Sequence, residues 1–392
     1  MHKEMDMYKC SIVRGGTSKG VFILANELPQ DPEARDKVIL AIYGSPDVRQ
    51  IDGLGGADVL TSKCAVIAPS PDDEADVDYT FGQVSMVEPF IDYGGNCGNI
   101  SSAVGPFAID NGLVAPVEPV TTVRIRMTNT NRILRAEVPV KYGKAQVEGD
   151  FAIDGCPGTG AKITIDWSGV IGGITGKLLP TGNTRDSIEV DGKAYEVSIV
   201  DAGNVVVFIR AESLGLSGDE TPDWIDNNAW LMEEIENIRG RVCEKIGLVK
   251  NWQDAKKLTP YQPFFAMVSP KKDYTCFNGK AIKSEEVDFL SRLTFMLKMH
   301  KAYPITGTVA TGVAARIPGS IVHELLDEEA KSRGEILIGH PQGVIPVECL
   351  GHQEEAETKI DKVGVYRTAR TIMEGCVYVR KSVLDSEAER NS

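Results

Sequence analysis

The sequence predicts an α/β or α+β protein of two domains, and three observations carry that expectation. Its 392 residues exceed the size at which a single hydrophobic core usually stops growing. Helical and strand-like periodicities alternate along the whole chain. A stretch dense in glycine, residues 154–183 with Pro157 and Pro180, interrupts the chain before its midpoint. It places the boundary near residue 185, with domains at 1–185 and 186–392.

The elements follow in order. Asp31-Pro32 reads as an N-cap followed by proline at the first helical position, with Val38 and Ile42 one turn apart and Gly44 as the stop. Val123, Ile125 and Met127 alternate with Arg124 and Arg126, the period of a strand with one wet face. Past the boundary, Ile188 and Val190 lead into Asp191-Gly192, and Tyr195, Val197 and Ile199 lead out, a hairpin signal. Leu231, Ile235, Ile238 and Val242 mark a long helix. A further helix is expected from Ser284, with Val287, Leu290, Thr294 and Leu297 along one stripe.

Composition narrows the function. A formal net charge of −14 argues against a nucleic-acid surface and against adsorption to anionic lipid. An anionic substrate would have to be caught by local donors. Eight scattered cysteines without a CxxC pair, and no apolar leader, point to a reduced cytoplasm. No apolar run approaches the roughly 20 residues of a membrane span. The five histidines form no ligand pair, so a histidine-built metal site is not expected. The acidic run Asp72-Asp73-Glu74 with Asp76 and Asp78 reads as solvated loop.

Four glycine-punctuated segments remain, and glycine lets backbone amides approach a ligand. They are Arg14–Gly20, Ile51–Lys63, Gly94–Asn99 and Thr306–Gly312. None carries GxxxxGK(S/T), GxGxxG after a strand, or a GxSxG elbow, which disfavours nucleotide binding and serine hydrolysis. In the third, Gly94-Gly95 and Gly98 bracket Cys97, and a helix-like stretch runs from Ser101 to a stop at Gly112. Cys97 then sits beside a helix start, whose free amides and dipole suit a thiol to acid–base work and would also hold a carboxylate. The alternative is a small buried hydrophobe, the common fate of a free cysteine. Lys63 is ordinarily a solvated lysine and becomes a candidate base only if buried.

At these segments the sequence resembles the methylitaconate and methylaconitate isomerases and the related oxalomesaconate tautomerases. The matches are RGGTSKG at Arg14–Gly20, RQIDGLGGAD at Arg49–Asp58, TSK at Thr61–Lys63, FGQV at Phe81–Val84, GNCGN at Gly95–Asn99, VGPFAI at Val104–Ile109, DAGN at Asp201–Asn204, HKAYPITG at His300–Gly307 and ARIPG at Ala315–Gly319. The resemblance covers nearly the whole chain. It implies a diaminopimelate epimerase-like fold: two topologically similar domains, each a curled sheet around a helix, with the active site in the cleft they enclose. Epimerases proper use two cysteines; the second is absent from Thr306–Thr311, while Lys63 matches the lysine of the isomerases.

The resemblance therefore implies an isomerase that needs no cofactor. It moves a C=C bond by allylic proton transfer in a small unsaturated di- or tricarboxylic acid, with 3-methylitaconate to 2,3-dimethylmaleate as the first expectation. A 2-methylaconitate isomerase, a 4-oxalomesaconate tautomerase and a non-catalytic organic-acid-binding accessory protein are the alternatives. Lys63 and Cys97 are the expected acid–base pair, in either order. Thr17, Ser18, Lys19, Asn96, Gly98, Asn99, Asn204, Thr306, Gly307 and Thr308 are the expected substrate contacts. A homo-oligomer, dimer or tetramer, is expected on general grounds.

Overall fold

The computed structural model describes residues 3–94, 97–355 and 357–384. The chain forms two compact units, one of residues 1–165 with 367–392 and one of residues 166–366. The sequence places the boundary near 185; the division instead falls at 165/166, and the last segment returns to the first unit. The glycine-rich stretch misleads because most of it is loop of the second unit. Its turns at Ile174 and Thr175 hang on the Asp201 carboxylate.

In the first unit, β1 (Met5–Gly15) and β2 (Ser18–Leu24) form a hairpin. α1 (Pro32–Tyr43) follows, begun by the Asp31 carboxylate on the Ala34 N–H at 2.8 Å and ended by Gly44 at φ +68°, as its sequence signals predict. β3 (Lys63–Pro69) lies parallel to β2, and β4 (Val77–Val84) lies antiparallel to β3. α2 (Gly98–Asp110) then leads to β5 (Val120–Met127), parallel to β4, and β6 (Arg132–Lys141), antiparallel to β5. The C-terminal strand Ala369–Arg380 pairs with the free side of β1.

Side chains alternate across these strands, and that alternation sorts the two faces. Val21, Ile23, Cys64 and Val66 join Val38, Ile39, Ile42 and Tyr43 of α1 in one core. The opposite face packs on α2, which touches β1, β2, β3, β5 and β6 as the sheet curls round it. Being enclosed, α2 is buried nearly all round. Gly105 permits this: a Cβ there would lie 2.7 Å from Val138 Cγ2 of β6.

The second unit repeats the plan. β7 (Asp186–Val190), β8 (Lys193–Ala202) and β9 (Asn204–Arg210) are antiparallel neighbours, the first two joined by the expected turn with Asp191 at φ +48° and Gly192 at φ +80°. α3 (Ala229–Lys245) carries the predicted stripe. β10 (Phe264–Pro270) is parallel to β9, and β11 (Phe289–Phe295) is antiparallel to β10. α4 (Ile305–Ala315) leads to β12 (Glu335–His340), parallel to β11, and β13 (Gly343–Glu354), antiparallel to β12. The succession antiparallel, parallel, antiparallel, parallel, antiparallel is that of β1 to β6. Gly312 of α4 even matches Gly105, with a Cβ that would lie 2.8 Å from Val347 Cγ2 of β13.

One expected helix is a strand. Ser284–Glu286 is a single 3₁₀ turn, and Phe289–Phe295 is β11. Six of its seven residues are buried. A strand covered on both faces shows no alternation, so its apolar residues fall on helical spacing by coincidence.

Ahead of α4, the His300 imidazole accepts a hydrogen bond at Nδ1 from the Ala302 N–H at 3.1 Å. Burial pulls its pKa below the ordinary histidine value of 6.5. The unfolded chain then binds more protons at this position than the folded one, so stability is lost as pH falls through the unfolded value. In urea titrations from about pH 7 to pH 5, His300→Gln is expected to show a shallower decline of the unfolding midpoint than the parent.

Candidate active site

Lys63 is the first residue of β3 and only 8 % exposed, on the face that α2 covers. Three neighbours fix it. The Tyr43 hydroxyl accepts from the Val21 N–H at 3.0 Å and donates to the Lys63 carbonyl, which pins the backbone. Gly20 is its register partner, and a Cβ on Gly20 would lie 2.3 Å from the Lys63 oxygen, so only glycine allows β2 this close. The amine donates to Gln83 Oε1 at 2.7 Å and lies 5.4 Å from the Phe81 ring centroid. Gln83 Nε2 in turn donates to the carbonyls of Ser62 at 2.9 Å and Val59 at 3.2 Å. That leaves the amide oxygen, and not its nitrogen, facing the lysine.

The second glycine segment is a folded loop that delivers Lys63, organised on Gln50. Gln50 Oε1 accepts from the Ala57 N–H at 2.9 Å and the Ser62 hydroxyl at 2.7 Å. A Cβ on Gly55 would strike that amide at 2.2 Å.

Cys97 is half-buried and is itself the N-cap residue of α2, which starts at Gly98, three residues earlier than its sequence pattern suggests. Its side chain makes no capping bond. Asp31, Thr221, Asn228, Ser320 and Asp327 cap their helices through side chains, whereas Cys97 and Pro304, at the starts of α2 and α4, do not. The first-turn amides of these two helices are therefore not consumed by a cap. Tyr79, on the same face of β4 as Phe81 and fully buried, has its pKa raised well above the ordinary value, by burial first and by Cys97 beside it second.

The β1–β2 turn is laid on the start of α2. A Cβ on Gly15 would lie 2.3 Å from the Asn99 carbonyl oxygen, and one on Gly16, at φ +52°, would lie 2.2 Å from Asn99 Oδ1. Asn99 Nδ2 donates to Thr17 Oγ1 at 3.0 Å. The Ser18 hydroxyl, on a residue 2 % exposed, makes no hydrogen bond among the described residues. Thr17, Ser18, Gly98 and Asn99 thus come together at the first turn of α2. Lys19 does not: alternation puts it on the α1 side with Val21 and Ile23. Asn96 lies outside the described residues.

In the second unit Gly203, at φ +78°, turns the chain so that Asn204 Nδ2 donates to Thr306 Oγ1 at 2.8 Å. Gln262 Nε2 donates to Asn204 Oδ1 at 3.1 Å. Thr308 is fully buried, and both its N–H and its hydroxyl donate to the Pro304 carbonyl, at 2.8 and 3.1 Å. Gly307 packs on Leu293 and Pro304. Thr306 is therefore the side chain of that segment left accessible.

The repeat exposes an asymmetry. Gly20 pairs with Lys63 where Val206 pairs with Phe264, so Phe264 holds the position of Lys63. Lys63 pairs with Gln83; in the second unit the place of Gln83 falls to Phe295, whose ring meets Phe264 edge-on at 5.1 Å. Pro304 stands where Cys97 does. The amine, amide and thiol belong to the first unit alone.

Two residues escape the sequence reading. Gln83 stands in a matched motif, and a polar residue in step with Tyr79 and Phe81 on a buried face was the available signal. Arg367 gave none. It is 8 % exposed, its Nε donates to Asn99 Oδ1 at 3.2 Å, and burial lowers its pKa to about 10 against the opposing pull of Cys97.

A family model described as "PrpF protein" matches residues 5–380. The chain is 50 % identical over 376 residues to the 3-methylitaconate isomerase of Eubacterium barkeri, covering 96 % of this chain and 98 % of that one. It is 39 % identical to the 2-methyl-aconitate isomerase of Shewanella oneidensis, covering 94 % and 96 %. A crystal structure of methylitaconate-delta-isomerase superposes with a TM-score of 0.93 at 49 % identity, covering 98 % and 99 %. A hydroxyproline epimerase from Agrobacterium vitis, at 12 % identity and TM-score 0.52 over 97 % and 94 %, shares the fold.

Gly16→Ala tests the packing at the α2 start. The added carbon both enters Asn99 and strains a positive φ, so a loss of about 2 kcal/mol or more is expected, read as a fall in melting temperature. Gly112→Ala, also at positive φ (+73°) but with open space around its Cβ, should fall by less.

Proposed function

This chain belongs to the PrpF protein family and is an isomerase, and we propose that it moves a proton, and with it a C=C bond, within a small unsaturated di- or tricarboxylic acid, 3-methylitaconate first among them. The observation that carries this reading is the Lys63 amine. It is buried, held on the Gln83 oxygen and placed over Phe81, on the sheet face that the start of α2 also covers.

In 3-methylitaconate the C–H at C3 is both allylic and α to a carboxylate. Lys63 takes that proton, and the electron pair of the broken bond spreads over the allyl system and the carboxylate as a dienediolate. A proton delivered to the terminal methylene carbon completes 2,3-dimethylmaleate, with no net gain or loss of protons. Cys97 is assigned as the acid partner. The intermediate needs donors fixed in advance where its charge grows, and the uncapped first turn of α2 supplies them with the Ser18 hydroxyl, which has no partner among the described residues. Asn204 and Thr306 are assigned to binding of a carboxylate. The 50 % identity to the Eubacterium barkeri enzyme, against 39 % to the methyl-aconitate isomerase, favours methylitaconate over the tricarboxylate.

Proton NMR in heavy water, with 3-methylitaconate and 2-methylaconitate supplied separately, tests the substrate: a migrating double bond with deuterium uptake is expected for the first. Exclusive turnover of the tricarboxylate would overturn the choice. Lys63→Ala is expected to lower kcat by about 10³-fold, within the span of general acid–base effects. Near-parental turnover would remove Lys63 from the base role. Asn204→Ala is expected to raise KM by roughly 10-fold, the effect of one lost hydrogen bond to a charged group, with kcat changed far less.

A further inference from the structure

Arg367 is unusual among the charged groups of the first unit in being buried at the start of α2, and no step of the proposed reaction uses it. It is the first residue after the second unit ends and the last of the strand Glu357–Arg367, two positions before the C-terminal strand begins at Ala369. Its Nε donates to Asn99 Oδ1 at 3.2 Å, and its Cδ would lie 3.0 Å from a Cβ on Gly16. Thr368 holds the segment down: its carbonyl accepts from the Gly16 N–H at 2.9 Å and from Arg14 Nη1 at 2.9 Å, while its hydroxyl accepts from Arg14 at 3.0 Å. The guanidinium is thus wedged between the hairpin turn and the first turn of α2, with Cys97 as its electrostatic neighbour.

A guanidinium loses much hydration energy on burial, and a fold keeps one in place only where its charge or its fork of donors is used. Here the fork holds Asn99, and Asn99 holds Thr17, so one cation organises the side chains that line the start of α2. The charge adds to the positive end of the helix dipole at the same spot. A thiol there meets two sources of positive potential, and so does negative charge that develops beside it.

We propose that Arg367 is a positioning residue for the isomerase reaction, fixing Asn99 and placing a permanent positive charge beside Cys97 so that the thiol end of the site reacts as an anion-stabilising centre. The proposal rests on the assignment of Cys97 to the reacting set. It predicts that position 367 must supply a cation able to donate to Asn99.

Arg367→Lys, Arg367→Gln and the parent are compared by three measurements: steady-state isomerisation of 3-methylitaconate, melting temperature, and the rate of Cys97 alkylation by iodoacetamide near neutral pH, resolved from the other cysteines by peptide mass spectrometry. Arg367→Gln is expected to lower kcat by about 10²-fold with KM changed only a few-fold, and to slow Cys97 alkylation by roughly 10-fold, the scale of removing one nearby charge. Arg367→Lys is expected to keep both within a few-fold of the parent at a comparable melting temperature. Equal losses in both variants in step with lowered melting temperature would overturn the proposal in favour of a packing role, as would unchanged alkylation in Arg367→Gln. Alkylation needs no substrate, so it reads the proposal even if the parent turns over a different acid. In that case the substrate assignment fails while the effect at position 367 stands or falls separately.

Discussion

The hairpin turn at Gly15-Gly16 lies so close to the first turn of α2 that no side chain can be fitted at either position, since a Cβ would come within 2.2 to 2.3 Å of Asn99. That approach determines what else can be built there. It puts Thr17 within hydrogen-bonding reach of Asn99, brings the Ser18 hydroxyl into the interior without a partner among the described residues, and leaves a gap on the far side of the turn that the stem of Arg367 fills. Gly20 repeats the device one step along β2, where the absence of a side chain lets the strand close on the Lys63 carbonyl. The glycines are thus spacers for protein against protein. They set the positions of Asn99, Thr17 and Lys63.

The two units share a strand succession and a buried helix, yet they are chemically unequal. Where the first unit has an amine held on an amide oxygen, the second has two phenylalanine rings edge to face. Where the first has a thiol at the helix start, the second has proline. The scaffold is one that an epimerase of 12 % identity also uses, so the fold alone does not fix the reaction. At these matched positions the first unit carries Lys63, Gln83 and Cys97, and the second carries Phe264, Phe295 and Pro304.

Much of this was legible because local chemistry agreed with the final structure. The Asp31 cap, the Gly44 stop and the Asp191-Gly192 turn each carry their own instructions within a few residues. Cys97 and Lys63 were legible as candidates because glycine-marked segments surround them. The strand Phe289–Phe295 was not, since burial on both faces erases the alternation by which a strand is recognised. Arg367 was illegible for a different reason: its partner Asn99 is 268 positions away, and nothing near residue 367 distinguishes an arginine destined for the interior from a solvated one. The repeat, too, is topological, and emerges only when strand directions and registers are known.

The strand Ala369–Arg380 completes the first unit from the far end of the chain, pairing with β1 along its whole length. During synthesis the first 165 residues are made well before this strand exists, and some two hundred residues of another unit must follow before it does. Until then one side of β1 presents unpaired N–H and C=O groups, an edge open to pairing with other chains, and the hairpin turn lacks the segment that ties it down. Until that segment is made, the growing polypeptide has no Arg367 guanidinium at the start of α2. The start of α2 is in this sense completed late in the life of the chain, when the segment that carries Arg367 and Thr368 is made.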